Sequence, residues 1–216
     1  MGRLIVIEGL DGAGKRTLAE GLVAELERAG RTVARAAFPR YDADVHAQLV
    51  AEALHGAHGD LAGSVHGMAV LFALDRRYAA DALRADLSAH DVVLVDRYVA
   101  SNVAYGAARL HQDAHGEFAH WLHALEVERF ALPRPDLQLL LRVPALVAAG
   151  RAEHRERTDA DRRRDNFESD SELQERCATV YEQLAAEDWW SPWLVVDGVE
   201  RVDFGLLAER VVGNSP

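Results

Sequence analysis

The sequence predicts an α/β fold of three layers, with a five-stranded parallel sheet between two layers of helices. Short runs of apolar, often β-branched residues recur along the chain, and such continuous runs are typical of parallel strands that are buried on both faces. Longer segments with apolar residues three and four positions apart separate these runs, which is typical of amphipathic helices. Parallel strands need crossover connections, and helices supply them here. Since no repeat or linker divides the 216 residues, we expect a single domain over 1–216.

The pattern also gives approximate bounds for each element. The predicted strands cover 4–7, 32–38, 91–95, 136–143 and 193–196. Helices are predicted from about residue 15 onwards and over 43–55, 62–88, 100–110, 116–130, 171–186 and 203–212. The helix at 116–130 is apolar enough to pack either in the core or in a dimer interface, and the sequence leaves both possibilities open.

Composition and charge exclude several classes of partner. The chain has 35 acidic and 24 basic residues, and its net charge of −11 repels nucleic acid and anionic membranes. Its first apolar run ends at Glu8, too early for a signal peptide, and no stretch has the roughly 20 apolar residues of a membrane span. Cys177 is the only cysteine, so a disulfide within the chain is impossible. We therefore expect a cytoplasmic protein with neither a nucleic acid nor a membrane as partner.

The segment after the first strand has the spacing of a phosphate-binding loop. Gly9 and Gly14-Lys15 match the Walker A pattern, and the strand before and the helix after them provide its structural context. Glycines allow backbone N–H groups to approach an anion, and a helix N-terminus adds unpaired donors. Lys15 is the only lysine of the chain, whereas Arg16 occupies the position of the usual Mg²⁺-binding Ser or Thr. The sequence thus predicts a P-loop NTPase-type fold that binds ATP through Gly9, Gly12, Ala13, Gly14, Lys15, Arg16 and Thr17.

Charged and aromatic residues follow the predicted second and third strands. Asp96 ends an apolar strand, which is a Walker B-like position near a metal ion or its waters, and Arg97 can bridge two phosphates. Phe38 and Tyr41 lie just beyond the second strand, where open α/β sheets bind ligands, although a core aromatic is the alternative interpretation. Ser101, Asn102 and Tyr105 occupy neighbouring positions of one helix.

Two further segments allow both a functional and a purely structural interpretation. Phe72 and Arg76 are four residues apart on a predicted helix, so a ring and a planar donor group share one face. They can bind a nucleobase, although an apolar ring at this spacing is usually part of the core. The arginine-rich segment at about 149–165 includes Arg151 and Arg155. It is either a solvated charged helix or a lid that brings arginines to transferring phosphates.

Five blocks of sequence, taken together, resemble the thymidylate kinases, most closely the form found in mycobacteria and related actinobacteria. The blocks are EGLDGAGKRTL (8–18), FPRY (38–41), LFALDR (71–76), DRYVASNVAY (96–105) and RDNFE (164–168). The resemblance implies a nucleoside monophosphate kinase-like fold with a short arginine-bearing lid. It also implies that ATP is the co-substrate, dTMP the acceptor, Mg²⁺ the cofactor and a homodimer the assembly.

The resemblance further implies a role for each matching residue. Phe72, Arg76 and Asn102 would bind the thymine base, and Tyr105 would lie under the deoxyribose. The remaining substrate contacts would come from Phe38, Tyr41, Arg97, Ser101 and Phe167, the last standing where the mycobacterial form has Tyr. Asp11 and Glu168 would contact the metal or the sugar. Lys15, Arg97, Asp11 and Arg155 would be the catalytic residues, with Arg151 and Arg155 binding ATP from the lid.

The chemistry that these residues suit is phosphoryl transfer to a phosphate. The second pKa of a phosphate monoester is near ~6, so such an acceptor is already anionic at pH 7 and needs no strong base. One alternative is a deoxynucleoside kinase, which would use Glu8 or Asp11 as the base for a 5′-hydroxyl. Another is a nucleotide-dependent switch, but a guanine-reading Asn-Lys-x-Asp motif is impossible because Lys15 is the only lysine.

Overall fold

The computed structural model describes residues 1–158 and 170–213, with the side chains of 155–158 left out. Within these ranges, five strands form one parallel sheet in the order β2-β3-β1-β4-β5. The strands are β1 (Arg3–Glu8), β2 (Val33–Ala37), β3 (Val92–Asp96), β4 (Leu137–Arg142) and β5 (Trp193–Asp197). This arrangement confirms the predicted α/β fold class.

Apart from α6 (Ala145–Thr158), which lies in a region without predicted helix bounds, the helices lie close to the predicted bounds. They are α1 (Lys15–Arg28), α2 (Val45–Leu54), α3 (Val65–Ala89), α4 (Val99–Arg109), α5 (Glu117–His123), α6 (Ala145–Thr158), α7 (Ser171–Ala186) and α8 (Phe204–Val212). A 3₁₀ turn covers Leu61–Gly63. The predicted lid begins inside α6 and continues into residues outside the described ranges, so the lid and the single-domain boundary stay predictions. No helix in the described ranges is both long and apolar enough to cross a bilayer.

The central strand β1 shows why its apolar run is continuous. Its side chains alternate between the two faces of the sheet, and four successive residues from Leu4 to Ile7 are fully buried. Ile5 and Ile7 pack in the larger core, whereas Leu4 and Val6 pack in the smaller core on the opposite face. A strand covered on both faces has no polar side, so period-two alternation is absent from its sequence.

The helix N-termini differ in a way that matters for the site. Asp44, Ser64, Asp170 and Asp203 cap α2, α3, α7 and α8, respectively, each accepting hydrogen bonds from backbone N–H groups of the first turn. Helix α1 instead begins after Gly14, which has a left-handed φ of 102° and no side chain to act as a cap. The first N–H groups of α1 therefore face the glycine loop without a side-chain acceptor of this kind.

The structure confirms the position of the helix predicted at 116–130, but the helix is not α-helical throughout. Its first half is the α-helix α5, and its second half, Ala124–Arg129, is a π-helical turn. Glu126 in this turn is fully buried and forms an ion pair with Arg76 of α3. Hydrophobic spacing predicts a helix but does not distinguish a π-helical turn from an α-helical one. The ion pair joins residues 50 positions apart in sequence.

Helix α4, which carries three predicted site residues, packs closely on α5. A Cβ atom added at Gly106 would collide with the ring of Phe118. We expect Gly106→Ala to lower the free energy of unfolding by about 1–3 kcal/mol, because overpacking outweighs the higher helix propensity of alanine. Chemical denaturation monitored by circular dichroism measures the change.

Gly150 of α6 is the matched control, since a Cβ there would have no heavy atom within 4 Å in the described structure. Gly150→Ala should raise the free energy of unfolding by up to about 1 kcal/mol through helix propensity alone. A shift of the same sign in both variants would contradict the proposed packing of α4 on α5.

Candidate active site

A cavity of about 1040 Å³ opens at the carboxyl end of β1, β2 and β3. The predicted site residues that line it are Asp11, Gly12, Gly14, Lys15, Arg16, Thr17, Phe38, Tyr41, Phe72, Arg76, Arg97, Ser101, Asn102, Tyr105 and Arg151. Gly9 and Ala13 lie in the same glycine loop with little or no exposure. The predictions for Phe167, Glu168 and the side chain of Arg155 fall outside the described residues.

The glycine loop adopts a conformation that only glycine accommodates readily. Gly9, Gly12 and Gly14 have φ values of 142°, 80° and 102°, a region that L side chains rarely adopt. Gly12 also touches α6 so closely that a Cβ would collide with the carbonyl oxygen of Ala148. Positive φ values favour glycine at all three positions, and at Gly12 the close approach of α6 is a second reason. The role of this loop as an anion cradle stays a prediction.

Lys15 is folded back into this loop. Its Nζ donates to the carbonyl oxygens of Gly9 and Leu10, at 3.2 and 3.0 Å, and the residue is only 8% exposed. Burial and the nearby charge of Arg97 lower the pKa of Lys15, while the Asp11 carboxylate opposes this shift. A bound phosphate would supply further negative charge here and favour the protonated ammonium group.

Arg97 joins the glycine loop to helix α4. Its backbone has a φ of 64°, unusual for a residue with a side chain, and its N–H donates to Ile7 of β1. Its Nη2 lies 2.5 Å from Asp11 Oδ1, and Asp11 Oδ2 accepts a 2.7 Å hydrogen bond from the Tyr105 hydroxyl. Burial would raise the pKa of Asp11, but Arg97 and Lys15 outweigh it and hold that pKa well below its usual range. Asp11 is therefore ionised at neutral pH.

A second buried carboxylate, Glu8, lies under Arg97 and was not among the predicted binding residues. It accepts hydrogen bonds from the Tyr98 N–H and from the hydroxyls of Ser101 and Tyr181, at 2.8, 2.5 and 3.0 Å. Arg97 Nη1 in turn donates to the Ser101 hydroxyl at 3.1 Å. Glu8 therefore positions Arg97 through Ser101. An acid at the end of a buried strand was the only sequence signal for this role, and Tyr181 gave none.

The opposite side of the cavity is built from α3, α4 and the π-helical turn. Phe72 and Arg76 lie one turn apart on α3 and both line the cavity, as the sequence predicted. Arg76 donates to both oxygens of Glu126 through Nε and Nη2, at 2.6 and 2.7 Å. Burial would lower the pKa of Arg76, but the Glu126 carboxylate raises it, so the guanidinium is charged. Glu126 was not predicted as a site residue.

The loop after β2 carries the two predicted aromatic residues in different environments. Phe38 is buried and packs 6.0 Å from the Tyr98 ring, so the core and the cavity interpretations both apply to it. Tyr41 is 41% exposed at the cavity wall. Asp75 of α3 holds the loop by accepting from the backbone N–H and Nε of Arg40, at 2.9 and 2.7 Å.

Two arginines lie beside the glycine loop itself. Arg151 of α6 donates from Nη1 to the Ala13 carbonyl at 3.0 Å, so the first part of the predicted arginine-rich lid reaches the loop. Arg16 is exposed and pairs with Glu20 one turn further along α1. Both positions are compatible with contact to a bound phosphate chain, and their role in ATP binding stays a prediction.

Asp96 is the residue in the cavity wall that best fits a metal ion. Its Oδ1 is buried and has no hydrogen-bond partner among the described residues. Mg²⁺ prefers oxygen ligands, keeps several waters, and is commonly held by one or two carboxylates together with substrate phosphates. No cluster of three or more metal-binding side chains occurs in the described ranges. A Mg²⁺ site built from one or two carboxylates, phosphates and water does not need such a cluster, so the residues present fit Mg²⁺.

Comparison with known proteins identifies the family. A family model described as thymidylate kinase matches residues 7–201. Thymidylate kinase of Mycobacterium tuberculosis is 54% identical over 205 residues, which are 95% of each chain. The chain belongs to the thymidylate kinase family. Members from Xanthomonas oryzae pv. oryzae and Xanthomonas campestris pv. campestris are 40% identical over 185 residues, which are 85% of this chain and 72% of each relative.

Membership of the thymidylate kinase family confirms the resemblance seen in the sequence blocks. Four of those blocks, at 8–18, 38–41, 71–76 and 96–105, contribute residues to the cavity wall. The fifth block, at 164–168, lies outside the described residues. Every block that the structure describes therefore contributes residues to this one cavity.

The buried Glu8 generates a prediction about stability and pH. Burial raises the pKa of Glu8, so the folded protein binds this proton more tightly than the unfolded chain does. The stabilising contribution is fully present below about pH 4.3, the ordinary pKa of a glutamic acid, and is lost as the pH rises through the raised pKa. We expect the stability of Glu8→Gln relative to the unchanged protein to increase with pH across this window, by up to about 1.4 kcal/mol per pH unit.

Urea denaturation of both proteins between about pH 4.5 and pH 8 measures this difference, over a window that starts just above the ordinary pKa of a glutamic acid. The glutamine fits the site because its oxygen can accept from the Tyr98 N–H while its nitrogen takes the place of Glu8 Oε2 beside the Ser101 and Tyr181 hydroxyls and donates to them. A stability difference that is constant with pH, or that falls as the pH rises, would contradict a raised pKa for Glu8.

Proposed function

We propose that this protein transfers the γ-phosphoryl group of ATP to the 5′-phosphate of dTMP, giving dTDP and ADP. The single observation that carries the proposal is that the glycine loop and the Phe72–Arg76 pocket open into one cavity. A phosphate donor and a nucleotide acceptor can therefore bind next to each other in the same cavity. Membership of the thymidylate kinase family supports thymine as the base.

Arg97 lies at the junction of the two halves of the cavity. It contacts Asp11 of the glycine loop on one side and Ser101 of α4 on the other. A guanidinium group presents several donors in a fixed plane and can bridge two phosphates. We assign it to the 5′-phosphate of the acceptor, close to the phosphoryl group that is transferred.

The chemistry requires positioning and charge neutralisation more than proton abstraction. A phosphate oxygen of dTMP attacks the γ-phosphorus in line, a new P–O bond forms, and the bond to the β-phosphate oxygen breaks so that ADP leaves with the electron pair. Lys15, Arg97 and the amides of the glycine loop stabilise the negative charge that spreads over the transferring group. Asp11 holds Arg97 through an ion pair. It also accepts a hydrogen bond from the hydroxyl of Tyr105, the residue proposed to lie under the deoxyribose.

Mg²⁺ belongs to this proposal as cofactor. Asp96 would hold it with its unpartnered oxygen, together with phosphate oxygens and water, while Asp11 and Glu168 are the ligands that the family resemblance implies. When bound, the ion neutralises phosphate charge. The proposal also includes nucleotide contacts from Arg151, Arg155 and Phe167, a homodimeric assembly and a cytoplasmic location, all of which rest on the family resemblance.

A direct assay of acceptors tests the function. With ATP and Mg²⁺, we expect multiple turnovers with dTMP and none above background with thymidine, because thymidine lacks the phosphate that Arg97 would bind. Coupled detection of ADP together with chromatography of the products measures both reactions. Faster turnover of thymidine would favour a deoxynucleoside kinase, and binding without turnover would favour a nucleotide-dependent switch.

Removal of the bridging guanidinium tests the mechanism. We expect Arg97→Ala to lower kcat by about 10³–10⁵-fold, the range measured when an arginine is removed from a phosphoryl-transfer site. Steady-state kinetics measure the loss, and circular dichroism checks that the variant is folded. Arg109→Ala is the control, because Arg109 lies on the same helix, is half-buried and does not line the cavity. Near-normal kcat in Arg97→Ala would refute the assignment.

A further inference from the structure

We propose that Glu126 is a specificity-determining positioning residue that makes the base pocket select 4-oxo pyrimidines and reject 4-amino pyrimidines. It would do so by fixing which hydrogen-bonding atoms of Arg76 and Asn102 face the base. This inference rests on the proposed function and extends it to a residue outside the predicted site. Its basis is one fully buried carboxylate in the π-helical turn Ala124–Arg129 that contacts both residues.

The orientation of the Asn102 side-chain amide follows from its neighbours. Asn102 Nδ2 lies 3.0 Å from the Ala69 carbonyl oxygen and 3.0 Å from Glu126 Oε1. An ionised carboxylate and a carbonyl only accept hydrogen bonds, so the amide nitrogen must face them, however the two amide atoms are labelled. Asn102 also lines the cavity. The atom left to contact a base is therefore Oδ1, which is an acceptor.

Arg76 is also held in one orientation, but it presents a hydrogen-bond donor where Asn102 presents an acceptor. Glu126 accepts hydrogen bonds from Nε and Nη2 in a bidentate ion pair. Nη1 is the guanidinium nitrogen that takes no part in this pair. Arg76 is 2% exposed and lines the cavity, so its remaining exposure faces the base pocket. A guanidinium group has donors and no acceptor. The pocket thus presents a fixed donor beside a fixed acceptor.

This pair of atoms matches one pyrimidine edge and conflicts with the other. Thymine and uracil carry an acceptor, O4, next to a donor, N3–H. Cytosine carries a donor, the 4-amino group, next to an acceptor, N3. With a cytosine edge, donor would face donor and acceptor would face acceptor at both positions. A buried site built for one hydrogen-bond pattern commonly rejects a mismatched analogue by about 10⁴–10⁵-fold.

The π-helical turn explains how the carboxylate reaches this position. A turn of this type holds one residue more than an α-helical turn and is frequent at functional sites. The backbone oxygen of Glu126 accepts from the Leu132 N–H at 3.2 Å, which ties the turn to the segment leading into β4. Its side chain is fully buried between α3 and α4, where a carboxyl group requires the hydrogen-bond partners that it has.

The test compares two nucleotides that differ only at the base edge, dTMP and 5-methyl-dCMP. Glu126→Gln is nearly isosteric, but its amide also donates, so it no longer forces the Asn102 amide into one orientation or holds both prongs of Arg76. We expect the ratio of kcat/KM for dTMP over 5-methyl-dCMP to fall by about 10–100-fold. The ratio for dTMP over dUMP, which reports the methyl group, should stay within about threefold.

Asp75→Asn is the matched control. Asp75 is also a fully buried carboxylate on α3, but it holds the loop at Arg40 and does not contact Arg76 or Asn102 through any of its hydrogen bonds. We expect it to raise KM for both nucleotides while the dTMP over 5-methyl-dCMP ratio stays within about threefold. A fall of the ratio in Asp75→Asn equal to that in Glu126→Gln would assign the effect to general loosening of α3 and overturn the inference.

Glu126→Asp keeps the test decisive if the glutamine variant does not fold. Aspartate is acceptor-only, so it preserves the polarity at a longer distance. We expect KM to rise for both nucleotides with the ratio retained, and loss of the ratio would overturn the inference.

The proposed function and the role of Glu126 can be rejected independently of each other. Failure of the unchanged protein to phosphorylate dTMP would reject the proposed function, whereas normal activity with an unaltered ratio in Glu126→Gln would reject only the role of Glu126.

Discussion

The site depends on two cations, the buried Lys15 and the half-buried Arg97, held close together at the carboxyl edge of the sheet. Their mutual repulsion is offset by Asp11, which pairs with Arg97 and has its pKa held down by both. Neither cation can move far, because Lys15 is bonded to loop carbonyls and Arg97 to β1, the glycine loop and α4. A low-dielectric wall strengthens the field of such fixed charges, so the positive site is preorganised for the phosphate proposed to bind there.

Two separate hydrogen-bond networks connect the site to the surrounding strands and helices. Under the proposed phosphate site, Glu8 links β1 to α4 through Ser101 and to α7 through Tyr181. Under the proposed base site, Glu126 links α3 to α4 through Arg76 and Asn102. Helix α4 takes part in both, since Ser101 and Asn102 are adjacent in sequence but bond to different carboxylates. The two halves of the cavity are thus held in register by one helix.

The sequence predicts the local parts of this arrangement and not the long-range ones. The glycine loop, the strand ends and the Phe72–Arg76 pair depend on spacing within a few residues, so their pattern is visible in the chain. The pairs Glu8–Tyr181 and Arg76–Glu126 join residues 173 and 50 positions apart, and no periodicity encodes them. The π-helical turn was also missed, because apolar spacing predicts a helix without fixing its hydrogen-bond pattern.

Helix α1 gains a further property from starting at a glycine. The helices with capping side chains carry their own acceptors for the first-turn amides, whereas α1 has no side-chain cap at its start. If the proposed nucleotide binds at the glycine loop, it also completes a helix terminus that the chain leaves open. By mass action, ligand at a hundred times its dissociation constant adds about 2.7 kcal/mol to the folded state. The resistance of this protein to heat and proteolysis should consequently track the nucleotide supply around it.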